Sequence, residues 1–131
     1  MMQALPAVAI MLLVGCMNTI EAPTTPTRNA LVIKQAQVLV ADKMRDPEAV
    51  RFKPEVNAYT TSVGDTVVCG TMNAKNAMGG YVGYRPYYAR IRNGKVEALR
   101  TVPEDDEYGI SQGAVETSCR EAAAGLVMVS S

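Results

Sequence analysis

The feature that most restricts this chain is an apolar run, Leu5–Val14, that carries no charged side chain and stops just short of Cys16. At about ten residues it has the length of a signal-peptide core. It is about half as long as a membrane-spanning helix. Residues 1–15, MMQALPAVAIMLLVG, are therefore expected to be an export signal that adds nothing to the folded body. Before the run only the terminal amine is positive, because residues 1–4 hold no Lys or Arg. The whole chain has 131 residues, room for one domain.

Leu13-Val14-Gly15-Cys16 at the end of that run resembles the lipobox of bacterial lipoproteins. The resemblance implies a diacylglycerol thioether on Cys16, cleavage just before it, and acylation of the new amino terminus. Several acyl chains hold a protein stably on a bilayer, whereas one holds it only marginally. Met17, rather than Asp, follows the Cys, which by analogy with Gram-negative lipoproteins favours the outer membrane, on its periplasmic face. An ordinary secreted protein with a chance Cys after its signal is the plainer alternative.

Residues 16–28 are expected to form a lipidated tether. Met17–Arg28 reads MNTIEAPTTPTR, without apolar periodicity, and Pro23 and Pro26 oppose regular pairing. A recognition role for this stretch stays open.

Residues 29–131 are expected to be a single α+β domain. Apolar spacings of three and four, Val32–Ala36–Leu39 and Ile33–Ala36–Val40–Met44, predict a helix capped by Asn29. It should end near Arg45, because Pro47 disfavours helical geometry at Asp46. Pro47-Glu48-Ala49 reads as a short turn with Pro in first place. Shorter periods then predict four strands: Val56–Thr61, Thr66–Met72, Tyr81–Arg92 and Lys95–Arg100. Asn93-Gly94 is a strong two-residue hairpin signal. These strands are expected to form an antiparallel meander packed on the N-terminal helix. A second helix is expected from Ser111 to near Gly125, with Leu126–Val129 as a short final apolar segment.

The charges balance, 13 Lys plus Arg against 13 Asp plus Glu, which argues against a general nucleic-acid binder. His is absent, and with it the commonest acid–base group and the commonest metal ligand. No Ser-His-Asp or Cys-His set can exist, and no carboxylate cluster has metal spacing; no metal and no cofactor are expected. Glu104-Asp105-Asp106-Glu107 lacks the spaced calcium-loop pattern and reads as a solvated loop. With Cys16 lipidated, Cys69 and Cys119 remain, in a compartment that favours oxidation. A structural disulfide across a loop of about fifty residues is the favoured reading. A redox pair lacks its usual Cys-x-x-Cys spacing, and two unpaired buried thiols stay open.

Asp46–Phe52 (DPEAVRF), followed by Val68–Tyr84 (VCGTMNAKNAMGGYVGY), resembles a family of small exported proteins of Gram-negative bacteria and their phages. Its members carry "D-P-x-S/A-x-x-F" and then "V-C-G-x-x-N-A-K-N-x-x-G-G-Y-x-G". The likeness spans residues 46–84, about a third of the chain beyond the signal. Thr71-Met72 stands where the family commonly has an acidic residue followed by Val. The resemblance implies export but no particular activity.

Asn73 and Asn76 can bond nearby backbone, and Gly79-Gly80 permits close backbone approach. With Lys75, Tyr81, Tyr84 and Arg85 they are either a difficult turn beside a tyrosine-lined core or a recognition surface, since Tyr and Arg dominate interface hot spots. Pro86 suggests an edge strand or a bulge there. The leading expectation is a non-enzymatic, membrane-anchored envelope lipoprotein that binds an envelope protein, with exclusion of a second phage infection as one version. An inhibitor of a cell-wall hydrolase, with Asn73–Gly80 as its plug, and a structural component of an envelope secretion assembly are the alternatives.

Overall fold

The computed structural model describes residues 19–130. The export signal and Cys16 expected from the sequence lie outside these residues. The described chain is α+β, two helices on a curled antiparallel sheet. In chain order it runs β1 (Thr19–Thr27), α1 (Ala30–Ala41), a 3-10 turn (Pro47–Ala49), β2 (Arg51–Phe52), β3 (Asn57–Thr61) and β4 (Thr66–Asn73), then β5 (Arg85–Arg92), β6 (Lys95–Arg100), α2 (Ile110–Ala123) and β7 (Leu126–Ser130). In space the strands lie β6-β5-β4-β3-β1-β7, and β2 pairs with the far end of β4. No helix among the described residues is long and apolar enough to cross a membrane.

The four-strand meander is present as β3 to β6, but it is only the middle of the sheet. The largest correction concerns the expected tether, because Thr19–Thr27 is a strand. Its first half pairs with β7 (Thr19↔Ser130 to Pro23↔Leu126) and its second half with β3 (Thr24↔Thr61 to Thr27↔Ala58). The prolines fit because the partner changes. The Pro23 carbonyl accepts from Ser62 N–H on the β3 side, so its missing donor also faces that side, just past the last β1–β3 pair. By alternation Pro26 faces the other side, where β7 no longer runs. The Thr24 hydroxyl donates to Ala122 O at 2.7 Å and fastens β1 to the end of α2.

Helix α1 starts where the sequence indicates. Asn29 Oδ1 accepts from Leu31 and Val32 N–H at 3.1 and 3.3 Å. It stops at Ala41, four residues earlier than expected, and tight turn bonds carry the chain through Lys43 and Met44. At Asn93-Gly94 both φ angles are positive, 50° and 73°, as a two-residue hairpin of this hand requires. The third expected strand begins at Arg85 rather than Tyr81. Pro86 lies where β6 has already ended, since that ladder starts at Tyr88↔Arg100. The sheet's register shift falls instead at Arg90/Ile91, with Glu97 as the extra residue on β6.

Strands β4 and β5 are buried on both faces. Val67, Cys69 and Tyr88 point to one side with Ala22, Val115, Ala122, Val127 and Val129, under α2. Val68, Met72, Tyr87, Ala89 and Ile91 point to the other with Ala36 and Val40 of α1. Unbroken apolar runs such as Val67-Val68-Cys69 and Tyr87-Tyr88-Ala89 are what burial on both faces demands. Cys69 and Cys119 are joined as a disulfide, Cα to Cα 5.9 Å, which ties β4 to α2. On the α1 face the Tyr87 ring lies over Gly70, its pairing partner, where an added Cβ would stand 3.0–3.2 Å from ring atoms.

The turn between β3 and β4 holds a buried carboxylate. Asp65, 1% exposed, accepts from Arg90 at 2.7 Å and from Arg92 through both of its oxygens. Arg90 is itself buried, at 4% exposed.

Candidate functional site

The two halves of the sequence motif, separate along the chain, meet at the far end of β4. Strand β2 lies against that end through Arg51↔Asn73 and Phe52↔Met72, and Lys53 N–H donates to Thr71 O. Phe52 turns inward, its ring edge-on to Tyr87 at 5.7 Å between centroids. Arg51 and Lys53, alternate residues of an extended segment, share the opposite side.

The loop after β4 is fixed by its asparagines. Asn76 Oδ1 accepts from Met78 and Gly80 N–H at 3.0 and 3.1 Å. The Asn76 backbone closes the same turn, its N–H donating to Gly80 O and its carbonyl accepting from Gly79 N–H. Gly79 has φ +79°, a left-handed geometry that favours glycine. Asn73 Oδ1 accepts from Gly83 N–H at 3.0 Å, and Lys75 pairs with Tyr81 in a single bridge. The result is a short protruding hairpin with Met78 92% exposed at its tip.

Tyr81 and Tyr84 stand out from this loop, 36% and 46% exposed. The Arg51 guanidinium lies 4.4 Å from the Tyr81 ring centroid, with Lys75 Nζ at 5.5 Å. Lys53 Nζ lies 5.0 Å from the Tyr84 ring. Tyr81 is also anchored, its hydroxyl donating to Ala49 O at 2.7 Å. Three cations and two aromatic faces thus share one surface, on a scaffold held by backbone pairing. Such a surface suits a partner that presents carboxylates and apolar groups.

Of the residues expected here, Asn73, Lys75, Asn76, Gly79, Gly80, Tyr81 and Tyr84 are brought together. Asn73, Asn76 and the glycines shape the loop. Arg85 is turned aside: its guanidinium donates to the backbone carbonyls of Pro103 and Glu104 and fastens the acidic segment. That segment is not merely solvated. Asp106 accepts from Ser111 and Gln112 N–H, each at 3.0 Å, and so caps α2; these bonds hold its carboxyl below the usual carboxylate range. Glu104 Oε2 accepts from Asn76 Nδ2 at 3.4 Å. Arg51 and Lys53 were missed as members of the site. Their place in the first half of the motif, beside Phe52, was the available signal. Tyr87 and Tyr88 belong to the core, and burial pushes both phenols up. Gln37 donates to the Tyr87 hydroxyl at 3.5 Å and partly offsets that rise.

No protein-family model matches the chain, and comparison with curated proteins and with solved structures finds no match.

Proposed function

We propose that this protein is a non-enzymatic envelope lipoprotein, anchored through Cys16, that binds an envelope protein with the surface formed by Arg51, Lys53, Lys75, Tyr81 and Tyr84. The observation that carries the reading is the convergence of three cations on two exposed tyrosines over a loop held by Asn73 and Asn76. Side chains fixed before contact lose little freedom on binding, which favours affinity. A turn that served only to reverse the chain would need no cation over either ring. Export also suits the Cys69–Cys119 bridge.

Cross-linking in membranes of an expressing Gram-negative host tests this. Wild type should capture a partner that the Tyr81→Ala/Tyr84→Ala variant captures at least tenfold less, the loss expected for a hot-spot pair. Equal capture by a folded variant would remove the surface from consideration. Exclusion of a second phage is one version. It requires that several phages plate less well on cells that express the gene; unchanged plating ends that version.

The protruding, internally bonded tip at Met78 favours a second reading, a plug for the cleft of a cell-wall hydrolase. The purified domain should then slow muralytic activity, and Met78→Asp should abolish the effect. No slowing across several lysozymes would count against it.

A further inference from the structure

We infer that the end of the sheet built by the start of β1 and the end of β7 rests on the lipid bilayer, with Ile20 and Met128 at the lipid surface. The inference rests on the anchor proposed above and adds an orientation to it. A free tether from residue 16 to residue 28 would let the domain stand about 40 Å from its lipid. Strand pairing removes that freedom. Thr19 is already bonded into the β1–β7 ladder opposite Ser130. Three Cα steps separate it from Cys16, a reach of about 11 Å at most. Whatever path residues 17 and 18 take, the start of β1 stays within that distance of the acylated residue.

The side chains at this end suit the contact. Ile20 is 42% exposed and Met128 48% exposed, on adjacent strands but on opposite faces of the sheet. Ile20 pairs with Val129 and Met128 with Glu21, so this end meets the bilayer edge-on, one apolar side chain from each face. Segments 19–23 and 126–130 contain no Lys or Arg and one acid, Glu21, paired with Met128. That carboxylate confines the contact to the headgroup layer rather than the hydrocarbon. The opposite pole follows from strand direction. β1 is antiparallel to β3 and β3 to β4, so β1 and β4 run the same way. The start of β1 and the end of β4 therefore mark opposite ends of the sheet. The length of β4 alone, at about 3.3 Å per residue, is on the order of 25 Å. The cationic–aromatic surface is thereby held away from the bilayer, toward a partner across the aqueous space.

The chain has no Trp, so a single introduced Trp reports its own surroundings. Met128→Trp and Met78→Trp would be purified as full-length processed protein, checked by mass for acyl groups on Cys16, and reconstituted in phosphatidylglycerol–phosphatidylcholine vesicles in which a fraction of the headgroups carries a nitroxide quencher. Emission from Met128→Trp should fall severalfold relative to unlabelled vesicles, while Met78→Trp emission stays the same. Ile20→Trp serves as the reporter should Met128→Trp not fold. Acylated protein with equal quenching at both positions, or with none at the β7 position, overturns the orientation and leaves the anchor standing. An unmodified Cys16 overturns the anchor and the orientation with it.

Discussion

The guanidinium of Arg51 sits 4.4 Å from the centre of the Tyr81 ring, on a strand that reaches the loop only because β2 pairs with the end of β4. This contact joins the two halves of the motif directly. A double-mutant cycle with Arg51→Ala and Tyr81→Leu, read by urea unfolding, should give a coupling of about 0.5–1 kcal/mol. Tyr81→Phe, which keeps the ring and loses the bond to Ala49 O, should cost about 0.5–1.5 kcal/mol by itself. Additive single effects in the cycle would mean that the stacking is incidental.

Asp65 should dominate the acid sensitivity of the fold. Burial raises its pKa, but the hydrogen bonds and charges of Arg92 and Arg90 outweigh burial and hold it below 3.8. A carboxyl whose folded pKa lies below its unfolded one adds stability that is present above the unfolded value. That stability is lost as pH falls through the folded value. Wild type should therefore lose stability below about pH 4. Asp65→Asn should cost about 3–5 kcal/mol at about pH 7, because it leaves Arg90 buried without a counter-charge. It should also flatten the acid limb of the stability profile. Parallel profiles for the two proteins would show that the triad does not govern the acid response.

What the sequence made legible was local. The Asn29 cap, the Asn93-Gly94 hairpin and the alternation of β6 are each decided within a few residues, and each has a side-chain signature. The rest depended on partners far along the chain. Thr19–Thr27 reads as a linker because Pro and Thr dominate it, and nothing near it reveals that β7 will pair with its first half. The Tyr-rich segment 81–84 has strand composition, yet the turn set by Asn76 and Gly79 and the bond from Gly83 to Asn73 hold it in a loop. Arg51 and Lys53 join the site through β2, a two-residue strand too short to leave a periodic signal. Cys69 and Gly70 of the motif proved to serve the core, one through the disulfide and the other beneath Tyr87.

Gly70 is required by space rather than by backbone angle. Its missing Cβ leaves room for the Tyr87 ring, which is 0% exposed and packed edge-on by Phe52. Gly70→Ala would set a methyl 3.0 Å from the Tyr87 hydroxyl oxygen, and a fully buried ring has little room to withdraw. The expected cost is about 1–3 kcal/mol, as for other overpacked cores. It should be read as a lower urea midpoint at unchanged slope. Gly70→Ala/Tyr87→Phe, which removes the nearest atom, should recover part of the loss. No change in midpoint for Gly70→Ala would show that the ring shifts freely and that this close approach has no energetic weight.

The sharpest division between a tether and a strand lies at Ala22. In a tether this side chain would be solvated; in β1 it is 0% exposed, packed among Val127, Val129 and Val115. Ala22→Asp should therefore bury an uncompensated carboxylate, a change of the severely destabilising kind. Replacement of Thr19–Thr27 by Gly and Ser at equal length should do more. It removes the partner of β7 and one of the two partners of β3, and leaves Val127 and Val129 without their cover. Near-ultraviolet circular dichroism should weaken, and a hydrophobic dye should bind at temperatures where wild type excludes it. If the nine-residue replacement melted like wild type, β1 would be a passive connector.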